Sequence, residues 1–266
     1  MPLAKINGQQ IYFEDSAGKG PAVVFMHGFL MEQSLFDSQV IALGSHYRCI
    51  RWDARCFGST QWDKKPFSLY DSVKDCFELM DFLKVESAVL VGMSQGGYCA
   101  LRAALTSPER VKGLILMSTK SGVDPEPLQT AFREMRDTWK QFGPVAPMME
   151  GLATAILGPI QNPGMKTHWD HWLPKWKQHS GEAIFHAMNN LLDRDEITHR
   201  LHKIVCPALV IHGDNDSTIP SAIGEELSHQ LPNCRGFIVA PGAHAVNMTN
   251  PEAINPPLKE FLDIHS

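Results

Sequence analysis

The stretch that decides the fold is Ala88-Val-Leu-Val-Gly-Met-Ser-Gln-Gly-Gly-Tyr98, an apolar run that stops at Gly92 and restarts as a predicted helix. Ser94 stands at the centre of a G-x-S-x-G pattern, with Gly92 and Gly96 on either side. This pattern is typical of a nucleophile elbow, a strained strand-to-helix turn where a Cβ at either glycine would collide with the strand or the helix. Ordinary buried turns also contain such a pattern, so the rest of the chain has to decide its meaning.

Length and composition are those of a globular α/β protein. The 266 residues fit one domain with an insertion, and 44% of them are hydrophobic and 20% charged. A net charge of −5 without a Lys/Arg cluster argues against nucleic acid as a partner, and no run approaches the roughly 18 apolar residues of a membrane helix. The first residues, Met1-Pro-Leu-Ala-Lys-Ile-Asn-Gly8, lack an apolar signal core, which predicts a cytoplasmic protein whose six cysteines are thiols. The oligomeric state stays open.

Strands and helices alternate over the first part of the chain. Predicted strands cover residues 9–15, 22–26, 49–52, 86–91 and 111–117, and predicted helices cover 34–43, 71–84 and 95–106. A fully apolar strand such as 111–117 is typical of a parallel sheet covered on both faces. The sequence therefore predicts an α/β fold with a mostly parallel central sheet and helices on both faces.

The alternation breaks at residues 122–203, which are rich in Trp, Met and Pro and have a helical pattern. Apolar residues spaced by four or three positions predict an amphipathic helix there; they are Leu128, Phe132, Met135, Trp139 and Phe142. We interpret 122–203 as a helical cap inserted after a sheet strand, and 1–121 with 204–266 as the core domain. Strands at 207–211 and 235–240 and helices at 221–230 and 252–262 complete that core.

Polar residues follow the predicted strands where a catalytic triad needs them. A serine hydroxyl needs a base to take its proton, and the base needs an acid to orient it. Asp216 follows strand 207–211 and His244 follows strand 235–240, so Ser94, Asp216 and His244 are expected together at the carboxyl edge of the sheet. Asp214 and Asp124 also follow strand ends and remain alternative acids, with Asp214 interpreted as a turn residue.

A further feature concerns the groups expected around the serine. His27-Gly28-Phe29 follows strand 22–26, and the N–H groups of Phe29 and Gln95 are predicted to form an oxyanion hole. A plain loop with a turn glycine is the alternative for residues 27–29.

The histidine pairs 168/171 and 199/202 lack neighbouring ligands in a recognisable metal pattern, so neither a metal nor a cofactor is predicted.

Together these motifs resemble the α/β-hydrolase superfamily over residues 9–121 and 204–265. The matching segments are His27-Gly-Phe29, Asp53-x-Arg-x-x-Gly-x-Thr60, Gly92-Met-Ser-Gln-Gly-Gly97, His212-Gly-x-x-Asp216-x-x-x-Pro220 and Gly242-x-His244. Within this superfamily, the chain resembles the small capped branch that contains 3-oxoadipate enol-lactonases, carboxylesterases, meta-cleavage-product hydrolases and cofactor-free haloperoxidases. The resemblance implies Ser94 as nucleophile, Asp216 as acid and His244 as base, with Phe29 and Gln95 in the oxyanion hole.

The chain departs from the branch at two positions. Cys56 replaces the first glycine of the Asp53 loop and is expected to be a buried structural thiol, while Gln95 replaces a frequent methionine and is expected to add a polar group to the pocket rim. The predicted function is hydrolysis of the ester or lactone bond of a small, fairly apolar substrate. Hydrolysis of a C–C bond by the same triad, and a receptor that binds ligand without turnover, are the alternatives.

Overall fold

The computed structural model describes residues 2–266 and, within them, an eight-stranded sheet at the centre of the protein. In chain order the strands are β1 (Leu3–Ile6), β2 (Gln9–Asp15), β3 (Ala22–Met26), β4 (Arg48–Trp52), β5 (Ala88–Met93), β6 (Val111–Met117), β7 (Ala208–Gly213) and β8 (Cys234–Ala240). Their order across the sheet is β1-β2-β4-β3-β5-β6-β7-β8. The pairs from β4 to β8 are parallel, and β1 and β2 form an antiparallel edge. The predicted fold class is confirmed.

Helices lie on both faces of the sheet. They are α1 (Asp37–Leu43), α2 (Leu69–Phe82), α3 (Gln95–Thr106), α4 (Glu126–Phe142), α5 (Ala146–Leu157), α6 (Met165–Trp176), α7 (Gly181–Leu192), α8 (Ser221–Gln230), α9 (Val246–Thr249) and α10 (Pro251–His265). Helix α3 contacts β3, β5 and β6 and packs against α2, whereas α1 packs against α10, which contacts β6 and β7. Within residues 2–266, none of the helices is long and apolar enough to cross a membrane.

The structure adds one strand that the sequence analysis did not predict. Strand β1 pairs with β2 as a hairpin whose two turn residues, Asn7 and Gly8, both have positive φ, 46° and 79°. An Asn-Gly pair favours such a turn because both residues tolerate the left-handed region. Helix α2 begins two residues before the predicted start, because the hydroxyl of Ser68 accepts the N–H of Asp71 and caps the helix there.

Four helices, α4 to α7, and the short 3-10 helix Thr198–Lys203 connect β6 to β7. The predicted apolar face of α4 is right for four of its five residues: Trp139 is buried and Leu128, Phe132 and Met135 are half-buried, but Phe142 is 68% exposed. Helix α4 packs against α7. The treatment of residues 122–203 as a separate cap stays a prediction.

Candidate active site

The serine predicted as nucleophile lies in a strained turn between β5 and α3. Ser94 has φ 52° and ψ −115°, and it separates the last residue of β5 from the first of α3. Its N–H donates to Met117 O at 2.9 Å and its carbonyl oxygen accepts the hydroxyl of Thr119 at 2.8 Å. These bonds to the end of β6 hold the backbone in a conformation that a serine adopts only under constraint.

The two glycines of the pattern are required by close backbone approaches. A Cβ at Gly96 would lie 1.8 Å from Met26 O, and a Cβ at Gly92 would lie 2.5 Å from Gly96 O. Each of these separations is far shorter than van der Waals contact. The sequence folds into this elbow because glycine alone lets α3 start so close to β3 and β5.

The predicted acid and base are in direct contact. His244, in the loop after β8, has its Nδ1 2.8 Å from Asp216 Oδ2, and both residues are nearly fully buried. Since the carboxylate can only accept, Nδ1 carries the proton and Nε2 is left as an acceptor. The other oxygen, Asp216 Oδ1, accepts the N–H groups of Thr218 at 3.0 Å and Ile219 at 2.9 Å.

The electrostatics of this pair favour an ionised acid. Burial alone would raise the pKa of Asp216, but the charge and hydrogen bond of His244 and the N–H of Ile219 outweigh it and hold the pKa below its usual value. Asp216 therefore remains a carboxylate across the neutral range and keeps its imidazole neighbour in one tautomer.

The two alternative acids make other contacts. Asp214 is exposed, and its Oδ1 accepts the N–H of Gly242 at 2.9 Å, as expected of a turn residue. Asp124 is buried in ion pairs with Lys120 and Arg194. Of the three aspartates, Asp216 is the one that bonds to His244.

The loop after β3 lies directly against the elbow. A Cβ at Gly28 would be 3.2 Å from Ser94 Cβ. The His27 ring fixes this loop: Nε2 accepts the N–H of Ala54 at 2.9 Å, so Nδ1 donates to Gly28 O at 2.8 Å. Burial lowers the pKa of His27 to about 4, so the ring stays neutral. Phe29 follows Gly28 and lines the same cavity as Ser94, and Gln95 is the first residue of α3, directly after Ser94.

The buried carboxylate of Asp53 links the loop after β3 to the loop after β4. Asp53 accepts the N–H of Gln33 at Oδ1 and that of Ser59 at Oδ2, both at 2.8 Å, and burial raises its pKa to about 6. Gly58 has φ 54°, and a Cβ there would lie 2.0 Å from Asp53 Oδ2. Cys56 in the same loop is buried, which raises the pKa of its thiol, and this fits the expected structural role.

Ser94 and His244 open onto one cavity of about 250 Å³. Phe29 also lines it, together with apolar side chains from α4, α5 and α7, among them Leu128, Phe132, Met135, Leu152, Ile156, Met188 and Leu191. The cavity therefore lies between the carboxyl edge of the sheet and these helices, and most of its lining is apolar.

Two residues that line the cavity were not singled out from the sequence, and a third side chain lies elsewhere than expected. Tyr98, one helical turn after Ser94 on α3, and Arg194, after α7, both line the cavity. The four-residue spacing on a helix is a signal that identifies Tyr98, whereas no sequence pattern marks Arg194. The side chain of Gln95, expected at the rim, instead lines a separate small cavity with Trp52 and Ser72.

The predicted histidine pairs do not assemble a metal site. His171 and His202 are exposed, and across residues 2–266 no group of three or more His, Cys, Asp or Glu side chains is arranged to hold a metal ion. All six cysteines in this part of the chain are free thiols.

Comparisons with known proteins agree with this architecture. A model described as "Alpha/beta hydrolase family" matches residues 23–256. A putative non-heme chloroperoxidase of Synechocystis sp. is 26% identical over 95% of this chain and 94% of its own length. An esterase from Thermogutta terrifontis, determined with malate bound, superposes over the whole of both chains with a TM-score of 0.92 and 25% identity. The enol-lactonase of Burkholderia xenovorans LB400 shares the fold, with a TM-score of 0.91 at 21% identity over 98% of this chain and all of its own.

Proposed function

Because the chain belongs to the alpha/beta hydrolase family, we propose that it is a serine hydrolase that cleaves the ester or lactone bond of a small, fairly apolar substrate. The observation that carries this proposal is the 2.8 Å contact between His244 Nδ1 and Asp216 Oδ2, at the same cavity that contains Ser94. The similarity to an esterase over the full chain supports an ester or lactone as the bond cleaved.

The proposed reaction has two halves. In the first, Ser94 Oγ attacks the substrate carbonyl while His244 Nε2 takes the hydroxyl proton, and the N–H groups of Phe29 and Gln95 stabilise the oxyanion. The tetrahedral intermediate collapses, the C–O bond breaks, and His244 returns the proton to the leaving alcohol. In the second half, water loses a proton to His244 and attacks the acyl-enzyme, the bond between the acyl carbon and Ser94 Oγ breaks, and His244 returns the proton to Oγ as the acid is released.

Residues 122–203 act in this proposal as a cap that closes the substrate cavity. Support comes from the lining residues that α4, α5 and α7 contribute opposite Ser94 and His244. The cap side chains then set the size and shape of the acyl group, because the sheet side supplies mainly the reacting groups. The reaction needs no cofactor, since the chain and water provide every proton and nucleophile.

Turnover of p-nitrophenyl esters by the wild type and by Ser94→Ala tests the proposal. The variant is expected to lose at least about a thousandfold in kcat, as triad serines do, while Ser45→Ala, a change at an exposed serine, leaves the rate unaltered. Equal activity of the wild type and Ser94→Ala would contradict the assignment of Ser94 as the nucleophile. Binding of ester without repeated turnover would favour the receptor alternative.

A further inference from the structure

One wall of the active-site cavity contains a buried cluster of charged side chains: Lys120, Asp124 and Arg194. Each residue is less than 10% exposed, and Asp124 and Arg194 line the cavity itself. Lys120 pairs with Asp124 Oδ1, and Arg194 Nη2 lies 2.8 Å from Asp124 Oδ2. The cluster is thus part of the wall that a bound substrate would meet.

The cluster has more positive than negative charge. One carboxylate is shared by two cations, so the formal sum is +1. Either cation alone would neutralise Asp124, so one positive charge is in excess, and of the two cations Arg194 is the one that lines the cavity. Asp216 is the other buried anion near the cavity. Its oxygens already accept hydrogen bonds from His244 and from the N–H groups of Thr218 and Ile219.

The guanidinium of Arg194 also has donors to spare. Three of its N–H groups are used, by Leu191 O, Gly122 O and Asp124 Oδ2, and its buried Nε has no partner in the protein. The central carbon of the group lies 4.7 Å from the ring centroid of Tyr98, which also lines the cavity. A buried cluster with one positive charge in excess is costly, so an anion bound at this wall would relieve that cost.

We propose that Arg194 binds a carboxylate on the acyl chain of the substrate, so that the preferred substrate is an ester or lactone with a second, free acid group. This inference rests on the proposed hydrolase function. The acyl chain is the relevant part because it stays attached to Ser94 through both halves of the reaction, so a group on it assists acylation and deacylation alike. The apolar side chains of α4, α5 and α7 would then contact the methylene groups between the two carbonyl carbons.

The test compares esters that differ in charge and little in size. At neutral pH, kcat/KM is measured for the monomethyl esters of succinic, glutaric and adipic acid, and for the corresponding uncharged dimethyl esters. The wild type is expected to prefer at least one monoacid over its dimethyl ester by about 10- to 100-fold, the range of a charged hydrogen bond. Arg194→Met should remove that preference and Arg194→Lys should keep part of it. Arg133→Gln, a change on the outer side of α4, should keep all of it.

The Arg194→Met variant is expected to fold, because Lys120 remains to neutralise Asp124. Should it not fold, inhibition of wild-type turnover gives a second measurement: glutarate should compete with a neutral ester and uncharged glutaramide should not. Ser94-dependent turnover without any preference for the monoacids, or equal inhibition by the two compounds, would overturn the inference and leave the proposed function intact. Absence of turnover with every ester would overturn both.

Discussion

Asp216 Oδ2 lies 2.8 Å from His244 Nδ1, and the second oxygen of the same carboxylate is held by two backbone N–H groups. The carboxylate of Asp216 is therefore held at both oxygens, and it keeps the imidazole of His244 in a single orientation. His244 lies on the loop after β8 and Asp216 on the loop after β7, so the contact depends on the parallel pairing of these strands.

Asp216→Asn is expected to lower kcat by about 10³- to 10⁴-fold, because an amide at this position permits the wrong imidazole tautomer. Asp214→Asn is the matched control, since Asp214 is exposed and its carboxylate contacts the N–H of Gly242. Steady-state kinetics with a p-nitrophenyl ester measures both. A larger loss in Asp214→Asn than in Asp216→Asn would show that the acid has been misassigned.

Gly96→Ala is expected to destabilise the protein and abolish activity, because its Cβ would lie 1.8 Å from Met26 O and the elbow backbone would have to move. Gly151→Ala, within α5, is the control: no atom lies within 4 Å of its Cβ, and alanine should stabilise that helix by about 0.5–1 kcal/mol. Urea unfolding measures the free energy of unfolding of both variants. A Gly96→Ala protein with wild-type stability and turnover would contradict the described elbow.

His212 should make stability depend on pH. Burial lowers its pKa from 6.5 to about 4, and neither ring nitrogen has a partner in the protein. A histidine with a lowered folded pKa contributes full stability above about pH 6.5, and that stability is lost as the pH falls toward the folded pKa. The loss between these limits is about 3 kcal/mol for this group.

His212→Leu removes this titration while keeping an apolar filling. The difference in unfolding free energy between wild type and variant should therefore shift in favour of the variant as the pH falls from about 6.5 to about 4. Groups that do not interact with His212, among them His27, cancel in the difference because both proteins contain them. A constant difference across that pH range would mean that His212 titrates equally in the folded and unfolded protein.

Gln95→Met should leave kcat within about threefold, because the proposed oxyanion donor is the backbone N–H, which the substitution retains. It should also maintain or raise stability, since the buried Oε1 of Gln95 has no partner in the protein. Thermal unfolding and ester turnover measure the two effects. A loss of a hundredfold in kcat would assign the side chain itself a role in the reaction.

Local sequence was sufficient to predict the elbow, because the glycines at 92 and 96 reflect contacts within the strand-turn-helix unit and with the adjoining β3. Position after a strand did not separate Asp216 from Asp214, since both follow the same strand, and Asp216 was favoured through the resemblance. The described contact joins Asp216 to His244, and its role as the acid stays a prediction. Sequence patterns predict a site well where its candidate catalytic residues lie in loops at the carboxyl ends of the sheet strands.

Other features depend on contacts that no local pattern encodes. Arg194 meets Gly122 and Asp124, which lie about seventy residues earlier in the chain, so its place in the cavity wall follows from tertiary packing alone. The direction of the Gln95 side chain is set by how α3 packs near Trp52 and Ser72. For the same reason, the cap side chains that define the cavity could not be selected from the sequence.

The central claim is that Ser94 is the nucleophile, and labelling with a fluorophosphonate followed by peptide mapping tests it most directly. The account predicts a single modified residue, Ser94, with no label in Ser94→Ala and much slower labelling in His244→Ala, because the hydroxyl needs its base. Wild-type protein that resists the reagent, or that is labelled at a different serine, would contradict the account.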